Sequence, residues 1–133
     1  MRKGKPMSAY SEFPMSEFKD CNLLIEAMEK MGYSQISLDK TNYELRPMQP
    51  DLVFRKNGAY ASTWNDVGFK RTPNGTYSAM FSDYATGNTQ TWVQKLKGEY
   101  IECGVILQAK KMGLRPVGRT EKNGKVTLVY QRA

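Results

Sequence analysis

The sequence predicts an α+β fold: a single domain with an antiparallel sheet and two main helices packed on one face of it. Three observations carry that reading. Two long stretches, residues 16–32 and 88–113, space their apolar residues three and four apart, and each ends in Met-Gly. Short runs of alternating apolar residues flank Asn74-Gly75 and Asn123-Gly124, pairs suited to tight hairpin turns. The composition is globular, 40% hydrophobic and 25% charged with eight tyrosines, and 133 residues suffice for a core without disulfide or metal staples.

Residues 1–15, MRKGKPMSAYSEFPM, read as an irregular basic lead followed by a short segment spotted with hydrophobic residues. A second methionine, Met7, sets the expected boundary: residues 1–6 are a basic flexible extension and residues 7–133 the domain. From Ser16 the chain reads as helix, with Phe18, Leu23, Leu24, Ala27, Met28 and Met31 near one face, Ser16 or Asp20 as cap and Gly32 as stop. YSQISL at 33–38 then reads as a ragged strand, RPMQP interrupts, and DLVFRK at 51–56 is a strand with Leu52 and Phe54 on one side.

The segment from Asn57 to Asn88 is the most sheet-like. DVGFKR and TYSAMFSD flank TPNG, so a hairpin is expected with Val67 and Phe69 on one side and Tyr77, Ala79 and Phe81 sharing a face of the next strand. From Asn88, the residues Trp92, Leu96, Tyr100, Cys103 and Leu107 recur at three or four, giving one long amphipathic helix or two abutting ones, with Gly98 and Gly104 as weak points. A second hairpin is expected around KNG, with Val126, Leu128 and Tyr130 alternating.

Helix, Met-Gly exit and strand thus occur twice, the Met-Gly pairs 81 positions apart and the two cysteines 82 apart. Two pseudo-repeated helix-hairpin units are one account. Convergence is the plainer one, since glycine is the easiest helix terminator.

Histidine is absent, which removes His-based triads, the commonest general base and imidazole zinc sites; Cys21 and Cys103 alone cannot supply four metal ligands. Both cysteines read as small buried hydrophobes on helices. No phosphate loop or dinucleotide fingerprint is present. Glu99 and Glu102 read as solvated helix residues. No cofactor, metal or catalytic residue is expected. The sequence contains no run of about 20 apolar residues and no signal-peptide core, so a soluble cytoplasmic protein without membrane contact is expected.

Charge is segregated. Residues 1–93 carry 11 Lys and Arg against 10 Asp and Glu, whereas residues 94–133 carry 9 against 3. The surplus lies on Lys95, Lys97, Lys110, Lys111, Arg115, Arg119, Lys122, Lys125 and Arg132. Such asymmetry argues for an anionic partner. Trp64, in a polar stretch before Lys70 and Arg71, covers the end of the core or forms an exposed platform, and Tyr60, Tyr77 and Tyr84 share that ambiguity.

MSAYSEF from Met7, a helix ending MGY, DLVF at 51–54, DVGFKR at 66–71, WVQKLKGEY at 92–100, MGLRP at 112–116 and VTLVYQR at 126–132 together resemble a conserved family of uncharacterised small proteins. That family occurs in cyanobacteria and red-algal plastids and also in other bacteria and phages. The resemblance implies a compact domain starting near Met7 and brings no activity with it. Here ASTWN stands before DVGF as an added elaboration.

The functional expectation is a non-enzymatic accessory or interaction protein, monomer or homodimer. It would dock an acidic protein surface through a basic C-terminal face, with Trp64, Lys70 and Arg71 contributing contacts. Nucleic-acid binding is the first alternative. A small enzyme using thiol, tyrosine or carboxylate chemistry, with Cys21 or Cys103 beside Tyr or Lys, is the second.

Overall fold

A computed structural model of the chain describes residues 10–15, 18–39, 45–58, 66–82 and 89–132. In order these form strand β1 (Tyr10–Met15), helix α1 (Cys21–Lys30), strand β2 (Tyr33–Gln35), a 3₁₀ turn (Arg46–Met48), strands β3 (Leu52–Lys56), β4 (Val67–Arg71) and β5 (Tyr77–Ser82), helix α2 (Thr89–Lys111), and strands β6 (Leu114–Lys122) and β7 (Lys125–Arg132). The fold is α+β, with two main helices and an antiparallel sheet packed together, as the sequence predicts. The chain divides into two compact units, Met1–Tyr100 and Ile101–Ala133, the boundary falling inside α2.

In the first unit five strands form one antiparallel sheet in the order β1-β5-β4-β3-β2. Strand alternation sends Leu52, Phe54, Val67, Phe69, Tyr77, Ala79 and Phe81 to one face, where they join Leu24, Ala27 and Met28 of α1 and Trp92, Val93, Leu96 and Tyr100 of α2 in one core. Aromatic rings dominate it: Phe69 meets Phe18 and Phe54 edge-on at 6.4 and 5.7 Å, and Trp92 sits 5.5 Å from Phe81. Tyr100 ties the two helices. Its hydroxyl accepts the backbone N–H groups of Lys19 and Asp20 at 3.1 and 2.9 Å, at the mouth of α1.

The opposite face is covered at its centre. Val53, Gly68 and Met80 align across three strands on that side, and Val53, Met80 and Leu45 are buried. Leu45 and Pro50 lie so close over Gly68 that a Cβ there would stand 3.0 Å from Leu45 Cδ1 and 3.2 Å from Pro50 Cβ. Residues 45–50, RPMQP with the leucine before it, therefore cover the sheet's second face as well as interrupting the strands.

Several boundaries differ from expectation. Tyr10–Met15, in the stretch read as a short segment spotted with hydrophobic residues and not assigned to a strand, is an edge strand paired with β5 throughout its length. Its Pro14 suits an edge, where a missing N–H is tolerated. The first helix begins at Cys21 rather than near Ser16, because the Asp20 carboxylate accepts the N–H groups of Asn22 and Leu23 at 2.9 and 3.1 Å and fixes the start there. Neither Gly98 nor Gly104 breaks α2.

The two Asn-Gly turns also differ. At the tip of β6 and β7, Asn123 and Gly124 both take positive φ, 54° and 75°, as a two-residue type I′ turn requires. At Asn74-Gly75 only Gly75 does, at 85°. Pro73 holds its own φ negative and starts an ordinary turn, and the glycine absorbs the reversal, with Thr72 N–H donating to Thr76 O at 2.7 Å.

The Met-Gly exits are alike in geometry. Met31 donates to Ala27 and Met28 carbonyls, Met112 to Gln108 and Ala109, and both glycines take positive φ. The strands after the two exits are unlike: β2 joins the five-stranded sheet, whereas β6 pairs only with β7. Shared helix-exit chemistry accounts for the resemblance between the two segments.

Candidate functional site: the C-terminal unit

Residues 101–133 hold seven Lys and Arg against two Asp and Glu, a net charge of +5. They also hold every large exposed hydrophobic side chain found among the described residues: Ile101, Val105, Leu107, Met112, Val117, Val126 and Val129. Ile101 and Met112 are 55% and 62% exposed. Scattered exposed apolar residues are ordinary, and their concentration in one small unit makes that unit the candidate site.

Local sequence explains the pattern. Ile101, Val105 and Met112 stand four and seven apart and so share one stripe along α2 and its C-terminal cap. Leu107, expected to continue the core seam of Trp92, Leu96, Tyr100 and Cys103, is 40% exposed, while those four are buried. Lys110 and Lys111 are exposed in the last turn, next to the negative end of the helix dipole.

The ribbon of β6 and β7 has two unlike faces. Pairing sets Lys122 opposite Lys125 and Thr120 opposite Thr127; beyond a register shift at Pro116–Gly118, Arg115 stands opposite Gln131. Lys122, Lys125 and Arg115 thus share one face with the two threonines. Thr120, Lys122, Asn123, Lys125 and Thr127 line an open depression of about 540 Å³ at the tip. Lys122 and Lys125 directly opposed is an unfavourable pairing that an anion would relieve.

Arg119 belongs to the other face. Its guanidinium donates to both Glu102 carboxylate oxygens, Nε at 2.8 Å and Nη2 at 3.1 Å, and to Glu121 at 3.3 Å. These hydrogen bonds raise its pKa further above the ordinary arginine value, and fasten β6 to α2 inside the unit.

The remaining expected contact residues belong to the first unit. Lys95 is exposed and Lys97 half-buried on α2. Arg71 is committed to its own hairpin: its backbone N–H donates to Asp51 at 2.7 Å, and its guanidinium donates to Gly75 O and Tyr77 Oη at 2.9 Å each while lying 4.5 Å over the Tyr77 ring. Lys70, half-buried, shares an open cavity of about 390 Å³ with Met48, Arg71, Thr72, Pro73 and Met80. Trp64, Tyr60 and Tyr84 lie outside the described residues.

Asp66, one residue before β4, is 1% exposed and accepts two hydrogen bonds from Arg55, at 2.9 and 3.0 Å. The charged bond to Asp66 raises the Arg55 pKa above its ordinary value, and burial opposes that shift. Two hydrogen bonds from one guanidinium to one carboxylate make this a structural clamp.

One arrangement the sequence did not signal is the meeting of Cys21, Tyr77 and Arg71. Burial pushes the Tyr77 hydroxyl above its usual pKa, the hydrogen bond to Cys21 adds to that, and the Arg71 hydrogen bond opposes it. Cys21 and Tyr77 are 56 residues apart, so only the tertiary fold unites them. Cys103 is buried, and both cysteines are reduced thiols.

Among the described residues no group of His, Cys, Asp and Glu could hold a metal ion, and no helix is long and apolar enough to cross a membrane. The chain matches no protein-family model, no curated protein and no solved structure.

Proposed function

We propose that the protein is a non-enzymatic interaction protein of the cytoplasm whose C-terminal unit, residues 101–133, docks an acidic protein surface. The observation that carries this reading is the coincidence of net charge +5 with all seven large exposed apolar side chains of the described residues in the same unit. Positive charge alone would suit a phosphate backbone equally well. Exposed Ile101, Val105, Met112, Val126 and Val129 favour a partner that offers apolar contact as well, which protein surfaces do and a sugar-phosphate backbone does not.

Nucleic acid is the competing reading, because a two-stranded ribbon with a basic tip has the dimensions to enter a major groove. A capture experiment separates the two. The immobilised full chain and a variant carrying Lys110→Glu, Lys111→Glu, Lys122→Glu and Lys125→Glu are exposed to nuclease-treated lysate. Acidic proteins retained by the first and lost by the second are the expected result. Equal retention by both would end the docking proposal. Binding of a labelled DNA duplex that falls steeply as salt rises, with no acidic protein retained, would transfer the surface to nucleic acid.

A further inference from the structure

The ends of the sheets show how an acidic partner would be held. Four strand edges are unpaired among the described strands: β1 and β2 in the five-stranded sheet, β6 and β7 in the ribbon. Unpaired edges invite another strand, and chains normally blunt them with proline, bulges, charge or shortness. β1 carries Pro14, and β2 has only three residues. β6 contains Pro116 and Gly118 with a register shift between them. β7 has neither proline, bulge nor shortness, and carries charge only at its two ends. It runs eight residues, Lys125–Arg132, without proline, glycine or bulge, and six of the eight are exposed.

The interior of β7, Val-Thr-Leu-Val-Tyr-Gln at 126–131, is uncharged, and the two charges are Lys125 and Arg132 at its ends. The two-residue turn makes Lys122 and Lys125 the hydrogen-bonded pair that closes the hairpin, and the ladder alternates from there. The amides of Val126 and Leu128 therefore face away from β6, ready for a new strand. The Tyr130 hydroxyl on the same strand is enclosed without a hydrogen-bond partner. We infer that the β7 edge accepts, by antiparallel strand addition, an extended segment of a partner protein that is apolar at its centre and acidic at both ends.

A second copy of this chain is the obvious competitor, and its charges disfavour it. Two β7 strands paired through those outward amides would centre on Leu128 or Val129 and bring Lys125 of one copy within one residue of Arg132 of the other at both ends, with each unit already at +5. An acidic-ended strand turns both repulsions into ion pairs, and its backbone supplies the ladder, the mode in which main-chain bonds give affinity and alternate side chains give specificity. This inference rests on the acidic-partner reading and adds the manner of docking.

The test uses the full chain and a fluorescent synthetic peptide of alternating valine and threonine flanked by glutamates, beside a second peptide of the same charge with a central proline. Expected are binding of the first peptide only, and slowed amide exchange at Val126 and Leu128 in the complex. Val126→Pro removes one outward donor and leaves the β6 ladder intact; it weakens binding by roughly threefold to tenfold, as loss of one hydrogen bond does. Because a proline could also disturb the hairpin, a charge reversal is run beside it. Lys125→Glu with Arg132→Glu should lose the glutamate-flanked peptide and gain a lysine-flanked one. Equal binding of the proline peptide, with no amide protection, overturns strand addition and leaves acidic docking by another surface standing. No binding of either peptide, or concentration-dependent dimers of the free chain, overturns the inference as well.

Discussion

The two units use their apolar residues in opposite ways. Among the described residues up to Tyr100, large apolar side chains are enclosed: Phe18, Phe54, Phe69, Phe81, Leu96 and Met28 are wholly buried. From Ile101 onward the chain buries Cys103 and Ala109 but leaves valine, leucine, isoleucine and methionine exposed. The same helix serves both regimes. Its first half supplies Trp92, Leu96 and Tyr100 to a closed core, and its second half leads into an exposed stripe of Ile101, Val105 and Met112. A five-stranded sheet with covers on both faces is complete in itself, whereas a two-stranded ribbon is too small to be stable without something to pack on. One region closes over its apolar residues and the other leaves them accessible.

That contrast can be broken most directly by emptying the closed core. Phe69→Ala removes a ring that packs against both Phe18 and Phe54 and should cost about 3–5 kcal/mol, read as a lower urea midpoint. Removing the buried Asp66 carboxylate by Asp66→Ala is next, at about 3 kcal/mol, since both fork hydrogen bonds to Arg55 are lost in a mostly enclosed site. Gly68→Ala tests the second cover of the sheet. The added methyl presses on Leu45 and Pro50 and should cost about 1–3 kcal/mol; a neutral result would mean that the 45–50 segment yields easily.

These residues also mark what could and could not be read in the chain. The core alternation of Leu52, Phe54, Val67, Phe69, Tyr77, Ala79 and Phe81 was legible, because period-2 patterning depends on local order alone. So were both hairpins and the seam Trp92, Leu96, Tyr100. β1 was not, because a short edge strand with Pro14 pairs through backbone and leaves little periodic trace. The cover over Gly68 and the meeting of Cys21 with Tyr77 depend on contacts between distant segments. The basic surplus was legible as a count, but its distribution was not: the fold commits Arg71 and Arg119 to local partners and sets Lys122 against Lys125. The apolar stripe of Ile101, Val105 and Met112 was present in the spacing and was hidden by the stronger seam on the same helix.

A pH scan sharpens the comparison at the scale of single hydroxyls. Burial pushes Tyr33 and Tyr77 above the ordinary tyrosine value of 10.0. A Trp92 hydrogen bond opposes the shift at Tyr33, and Arg71 opposes it at Tyr77. With both pKa values raised, the folded state holds more protons than the unfolded state once pH exceeds about 10. The associated stability is fully present below that value and is lost as pH rises through the folded pKa values. From neutral pH up to about 10 these two hydroxyls leave the denaturation midpoint unchanged, above that it should fall, and Tyr77→Phe should make the fall shallower. An unchanged slope in that variant would remove Tyr77 as a contributor.

The smallest expected stability effect lies on the open side and says most about it. Ile101→Ser with Met112→Ser removes two of the most exposed apolar groups among the described residues, 55% and 62% accessible. Side chains that touch little in the free protein contribute little to its folding, so the urea midpoint should move by no more than about 0.5 kcal/mol. Binding of an apolar dye to the native protein should drop clearly, because the stripe is where such a dye would sit. If the double variant instead unfolds easily, the stripe is packed in solution and the C-terminal unit is closed by its own chain. If stability holds and dye binding falls, the apolar surface is free in the isolated protein, as the docking proposal requires.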